Sequence, residues 1–540
     1  MMANRGKKAV KEKKAVKEKM ESGRRGVKLM QETAFLYVFL MLAVYPFYFK
    51  NKYYDIGNAK WQFFFFLTVG AGAVLLGIFL FRIIEEWNPH ELKKTLRGIR
   101  LSVIDWFVLA YAAAVLLSTL FSPYKDQVIW GYDGWYMGLI SQICFVLIYF
   151  CVSRYWRWDR STVICCLAAA FLVFLLAVLM RFRIDPLSLY KDLEEQYIRG
   201  FLSTIGQATW YSSYMAVVFP LGLFAFWFYD NQYIRISCGI FTAVGFMTMV
   251  TQNSDSSFAA FGLLLFALFW LSLESNRRFW RFLEIMMICF FSFKLIGICQ
   301  RLFPEQAVPL DALSLFCSQS SLTWLFLILT ALLYLSFRWL AGYKNIDISK
   351  IKNIRIVFLA LLLLGLLGIV IYVCLNTTKK LPAQWSSDSQ YLLFDEYWGN
   401  NRGSSWMIAV QSFRRGSFIR RIFGCGPDGF SSFVQSFFRG ELAEKWGSSA
   451  ILACAHNEWL NALVNLGVAG AIPYIGIFVS AICRFFGKSR EHPELTAAAL
   501  SVICYMSHNF FCYQQIICTP LIFILIGAGE SIIRYGTVRK

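Results

Sequence analysis

His456 and Glu458 open an apolar run, in Ala455-His456-Asn457-Glu458-Trp459, directly behind the longest polar interval of the chain. That interval, from about 376 to 455, carries Asn401-Arg402-Gly403-Ser404-Ser405-Trp406. It also carries the cluster Arg414, Arg415, Arg420 and Arg421, and the turn Gly424-Cys425-Gly426-Pro427-Asp428-Gly429-Phe430. A histidine or glutamate suits proton removal from a hydroxyl at neutral pH. Arginine forks match phosphate oxygens and stabilise charge growing on them in a transition state. These residue types suit an anionic, lipid-borne substrate met by a hydroxyl acceptor. Arg199 adds to the set from another polar connector, ahead of Ser203-Thr204-Ile205-Gly206-Gln207. Arg199 and Arg402 are read as functional. For Arg414, Arg415, Arg420 and Arg421 the competing role is snorkelling to lipid headgroups; Arg414 and Arg415 are retained as candidate substrate contacts. Of the other histidines, His90 and His492 read as surface residues, and His508, next to Asn509, is a weaker candidate.

The elements that must position these residues are membrane spans. Of 540 residues, 58% are hydrophobic and only 16% charged. Apolar runs near 20 residues recur, and the alternation of a β-barrel is absent, so the fold class is an all-α polytopic transmembrane bundle. Fourteen spans are read (range 12–14): 32–49, 61–83, 102–121, 135–152, 161–180, 207–229, 234–250, 256–274, 279–300, 323–341, 355–376, 457–483, 494–507 and 515–533. Lys294 is the one cation read as lying deep within a span. The chain then divides into a basic tail (1–30), eleven spans (31–376), a large loop (377–455) and three further spans (456–540). Within the loop, Trp406, Met407, Val410, Phe413, Phe418 and Ile422 recur near helical spacing with basic residues between them, which predicts one interfacial helix over 404–423.

Charge sets the orientation. Residues 1–29 hold eight lysines and three arginines against three glutamates, a net of +8, with Lys-Ala-Val-Lys-Glu-Lys repeated at 8–13 and 14–19. The tail reads as cytoplasmic and in contact with anionic lipid; without interleaved aromatics it does not read as a nucleic-acid binder. Lys93, Lys94, Arg97, Arg154, Arg157, Arg277, Arg278, Lys344, Lys352, Arg355, Arg484, Arg490, Arg539 and Lys540 fall on the same side. Both termini are therefore expected in the cytoplasm, and the 377–455 loop outside. The fifteen cysteines lie mostly in apolar runs as small hydrophobes. No Cys-x-x-Cys pair argues for zinc; Cys425 and Cys454 share the loop and are the one candidate disulfide.

His456-Asn457, nine residues, Gly467, two residues and Gly470 resemble the signature of the O-antigen ligase and polymerase superfamily. Arg402 with Trp406 is similar to that family's Arg-x-x-x-Trp element, and Gly424 to Phe430 to its glycine turn. Arg199 with Ser203 to Gln207, and Thr251-Gln252-Asn253-Ser254-Asp255-Ser256, resemble its upstream arginine and serine-rich motifs. The likeness covers roughly 120–530. It departs at Gln207, where the family has asparagine, at Asp255, where a basic residue is common, and in two extra spans. The resemblance implies a GT-C-like fold in the cytoplasmic (inner) membrane. It implies metal-independent, cofactor-free, inverting transfer of a glycan from undecaprenyl diphosphate to a hydroxyl of a glycan, lipid or protein acceptor. Arg199 and Arg402 would grip the diphosphate, with Trp406, Asn457 and Gln207 as further substrate contacts. His456, with Glu458, would activate or orient the acceptor. Asp-x-Asp is absent, which disfavours a metal-dependent nucleotide-sugar enzyme, and so is a Walker loop. The alternative is a flippase for lipid-linked saccharides, which predicts cations along a central path and broken helices.

Overall fold

The computed structural model describes residues 25–85, 100–351 and 353–537. Most of the basic tail, together with His90, Lys93, Lys94, Arg97, Lys352, Arg539 and Lys540, lies outside the described residues. Among the described residues the architecture is helical, with one two-stranded hairpin pairing Phe201–Leu202 with Gly206–Gln207. Among the described residues, eleven helices are long and apolar enough to cross a membrane. They cover eleven of the fourteen expected spans. The other three expectations coincide with the shorter helices Leu139–Tyr155, Glu494–His508 and Thr519–Tyr535.

The core forms around the helix Ala208–Phe228, of whose most apolar stretch 89% is buried. Small residues let its neighbours approach closely: Gly222 receives the ring of Phe241, and Gly245 of the adjoining helix receives Phe219. Glu494–His508 packs on this central helix, Glu458–Lys488 on Val103–Phe121, and Thr519–Tyr535 on Leu139–Tyr155. The three C-terminal helices therefore carry the centre of the bundle. Ser321–Tyr343 and Ile354–Thr377 are peripheral, with nothing buried in their most apolar stretches.

Each end of the bundle is fastened differently. At one end, Asp105 caps its own helix through Ser102 and accepts from Tyr149, Arg154 and Arg534. Buried Glu530 holds Arg484 and Arg534. Arg154 and Arg484, read from sequence only as cations of the cytoplasmic side, and Arg534 are thus partly consumed by two sealed carboxylates. At the other end Arg181, which is fully buried, donates to the carbonyls of Ile198, Arg199 and Gln252 at 3.0–3.2 Å and joins three connectors. The expectation of a single deep cation is corrected. Lys60 is fully buried, donating to the carbonyls of Tyr45 and Pro46 at 2.8 Å, where the first helix unwinds through a π turn. Lys294, 4% exposed, donates to Ser320 O.

The long loop is also corrected. The expected single interfacial helix is two, Trp398–Arg415 and Phe418–Phe423, interrupted at Gly416. A third helix, Phe430–Trp446, follows. It buries Phe430, Phe433, Val434, Phe438 and Leu442 against Ile408 and Ala409, giving the loop a small core of its own. Met407, Val410, Phe418 and Ile419 stay exposed on the opposite side, beside Arg414 and Arg421. All fifteen cysteines are free thiols, Cys425 and Cys454 included.

Candidate active site

The site is built on a helix that breaks. Asn457 caps the helix Glu458–Lys488, its side chain accepting from the backbone of Trp459 and Leu460, each at 3.0 Å. About two and a half turns later Gly467 adopts φ 63°, ψ −172°, a region open essentially to glycine alone. The carbonyls this break frees do not stay empty. Val464 O accepts from Cys425 N at 3.1 Å; Asn465 O accepts from Gly426 N at 2.9 Å and from Ser118 Oγ at 2.9 Å. A Cβ on Gly467 would stand 2.2 Å from Ile422 O, and one on Gly424 would stand 2.2 Å from Asn465 O. The glycine turn and the glycines behind His456 are therefore one interlocked structure. Gly467→Ala should destabilise by at least about 1–3 kcal/mol from backbone strain alone, read as a lowered thermal midpoint of the detergent-solubilised protein. An unchanged midpoint would mean that the interlock contributes nothing.

Asp428, in the same turn, extends the lock. Its Oδ2 accepts from the backbone of Tyr132 at 2.7 Å and Met137 at 3.2 Å, and its carbonyl accepts from Gln127. Burial raises its pKa to about 6, with the two backbone donors pulling the other way.

Behind the break lies a buried polar chain. The carboxylate of Glu458, 2% exposed, accepts from the hydroxyls of Tyr474 and Tyr505 and from Asn509 Nδ2. Because that amide nitrogen faces a carboxylate, Asn509 Oδ1 is the acceptor for His508 Nδ1, at 2.9 Å. This assigns the proton of His508 to Nδ1 and leaves Nε2 to accept from Ser212 Oγ (2.8 Å) and Ser256 Oγ (3.1 Å). Ser254 joins the same serine cluster. Glu458 thus stands in a sealed network where its oxygens are already engaged. Beside it, a cavity of about 20 Å³ with Asp428, Asn461 and Gln514 has room for one water.

His456 and Arg402 are both half-buried. His456 holds φ +50°, uncommon for a residue with a Cβ. Its ring lies edge-on to Tyr513, with centroids 5.3 Å apart. Tyr513 is fixed by stacking on Trp135 at 4.4 Å and by accepting from Trp210 Nε1. The imidazole forms no hydrogen bond among the described residues, and neither ring nitrogen is sealed. Burial, with the charge of Arg402, lowers its pKa to about 4, so it is neutral at physiological pH. Arg402 follows three residues in left-handed conformation, Gly399, Asn400 and Asn401. Its Nε donates to Phe511 O at 3.0 Å and one terminal nitrogen to Gly399 O at 2.8 Å. Both acceptors are neutral carbonyls, so the positive charge is fixed in place without a carboxylate partner among the described residues. No family model matches this chain, and no curated protein matches it.

The remaining candidates fall around this pair. Trp406 stacks on Phe511 at 6.1 Å and packs on Trp398 at 5.0 Å, walling the Arg402 segment; its Nε1 is buried without a partner. Gln207 caps no amide with its side chain, and its Oε1 is buried without a partner. Asn457 spends its side-chain oxygen on the helix cap. Arg199 is exposed, and its guanidinium touches neither Arg402 nor His456 among the described residues. The Arg181 staple ties the Arg199 connector to Gln252, and Tyr391, donating to Asp255, ties the following helix to the Arg402 segment. Arg414 and Arg415 are exposed on the loop's other side, Arg415 lying over the ring of Phe438 at 4.6 Å.

Sequence reading missed Arg181 and the structural use of Asp428, and ranked His508 below its place in the network. Arg181 carried a signal: it is a cation closing an apolar run. Nothing local marks Ser212 and Ser256 as partners of His508.

Proposed function

We propose that the chain transfers a glycan from a polyprenyl diphosphate to an acceptor hydroxyl at the membrane surface. Arg402 stabilises the departing diphosphate and His456 receives or orients the acceptor. The observation that carries this reading is an arginine held by neutral carbonyls within electrostatic reach of a neutral, unbonded imidazole. A guanidinium in no direct ion pair among the described residues, with Asp255 only within electrostatic reach, can turn to phosphate oxygens. A neutral imidazole with free nitrogens is ready for a hydroxyl proton. Glu458, Asn509 and His508 act behind the pair as positioning residues, and Trp406 as the wall of the arginine segment. Arg199 joins only if bound diphosphate draws its connector inward. In this reading the site end is extracytoplasmic, the opposite end faces the cytoplasm, and the membrane is the cytoplasmic one. The first helix ends, and Thr519–Tyr535 begins, where Tyr45 donates to Ile516 O, so residues 25 and 535 lie at the opposite end of the bundle, which supports termini on one side.

The resemblance to O-antigen ligases and polymerases supports the same chemistry through its ordered motifs. Their interlocking in space, glycine turn against broken helix, gives those motifs a common physical reason. Arginine forks supply the charge here, so transfer should continue in EDTA; loss that added divalent metal restores would contradict the metal-free mechanism.

The rival, a flippase, gains two observations, the helix broken at Gly467 and the buried Lys60. Both weigh little. The freed carbonyls are closed by Cys425, Gly426 and Ser118, and Lys60 is consumed by two backbone carbonyls, so neither faces a path. Mass spectrometry of polyprenyl-linked glycans in a deletion strain separates the readings. Accumulated single repeat units indicate a polymerase, and accumulated long chains a ligase. Units held on the cytoplasmic leaflet would overturn transfer in favour of flipping.

A further inference from the structure

The helix Ile354–Thr377 stands off the bundle. Among its residues only Asn376 is buried. Its contacts gather at its ends: Phe358 meets Phe269 with ring centroids 4.8 Å apart, and Arg355 pairs with Glu274 at 3.7 Å. At the far end Asn376 donates to the carbonyls of Ser387 and Leu392. Between the first turn of this helix and the bundle lies a space of about 1440 Å³, walled on its apolar side by Leu263, Phe266, Trp270, Ile356 and Ile503. Within a bilayer such a space cannot be left empty, because every wall would forfeit its dispersion contacts, and its apolar sides offer water no partners. Hydrocarbon chains satisfy it.

The polar end of the space specifies the headgroup. It lies at the end of the bundle away from His456, lined by Arg278, Arg355 and Arg490. Glu274 is the one acidic residue there, and it is already shared by Arg278 and Arg355. Arg490 is exposed and has no ion pair among the described residues. Three cations against one anion leave the mouth positive, and basic pockets between transmembrane helices select anionic headgroups.

We infer that this gap is a binding site for an anionic phospholipid of the leaflet opposite His456, its chains between the stand-off helix and the bundle, its phosphate at Arg490 and Arg355. The lipid acts as a structural spacer that holds the helix leading into the long loop. A zwitterionic lipid could fill the apolar part, but would bring its ammonium group to the arginines.

The test uses the full chain, purified in detergent and stripped of lipid. Dioleoylphosphatidylglycerol should raise the thermal midpoint and survive on the protein in native mass spectrometry; dioleoylphosphatidylcholine, with the same chains, should do neither at equal concentration. Arg490→Gln, at an exposed position, should weaken the phosphatidylglycerol effect about fivefold, and Arg355→Gln with Arg490→Gln should abolish the preference. Equal effects of the two lipids on the wild-type protein would overturn the proposal, whether or not the variants fold. So would a polyprenyl lipid or a second copy of the chain retained in that gap.

Discussion

His456→Asn is expected to lower transfer by a factor of about 10²–10⁴, the range one positioned acid–base group contributes, while insertion and folding are retained. Asparagine is the informative replacement because His456 sits at φ +50°. Asparagine enters the left-handed region more readily than alanine, so the backbone is not placed under new strain. The lost contact is one edge-on meeting with Tyr513, which keeps its own supports in Trp135 and Trp210. A fall in kcat with donor binding intact is the expected signature. Full activity would remove His456 from the mechanism.

The same residue sets the pH profile. Its pKa is lowered to about 4 from an ordinary 6.5. The neutral imidazole therefore persists well below neutrality, and the acid limb of kcat/KM should have its midpoint near 4. The linked stability has the sign of a lowered pKa. It is fully present above pH 6.5 and is lost as pH falls through that window toward 4. An acid limb near 6.5 would mean that the ring is solvated.

Arg402→Lys should reduce kcat/KM by about 10²–10³, comparable to removing one transition-state donor. The guanidinium uses two of its nitrogens to hold Phe511 O and Gly399 O and presents the rest of the fork outward. A lysine has one nitrogen and cannot do both. It would also leave a carbonyl without its donor. Two readouts separate chemistry from packing. Donor binding should become less sensitive to the diphosphate group, and the thermal midpoint should fall only modestly. A large stability loss with unchanged kcat/KM would make Arg402 a staple of the loop and nothing more.

The helices were legible because an apolar run of twenty residues is a local property: each of the fourteen expected spans coincides with a helix. Span length was less legible, since Glu494–His508 is only 15 residues and is mostly buried in the bundle. The loop's own core was readable and was missed. Phe430, Phe433, Val434, Phe438 and Leu442 keep the helical period, but charged Arg439, Glu441, Glu444 and Lys445 mask it. That Arg402 lies within electrostatic reach of His456 agrees with residue type and motif resemblance, whereas Arg199, expected with them, touches neither. The network behind it was beyond local reading, because Ser256 and Ser212 lie 252 and 296 positions from His508. Gly467 was noticed for its spacing. Its reason, a break sealed by the Gly424 turn, is a contact between segments some forty residues apart and leaves no local trace.

The most direct measurement is single-turnover chemistry in proteoliposomes carrying an undecaprenyl-diphosphate-linked glycan and an acceptor glycan. The wild-type protein should release undecaprenyl diphosphate and form one new glycosidic bond per donor consumed. His456→Asn and Arg402→Lys should suppress both products together. Donor that crosses the bilayer with its glycosidic bond intact, or bond transfer that proceeds equally in both variants, would contradict the account.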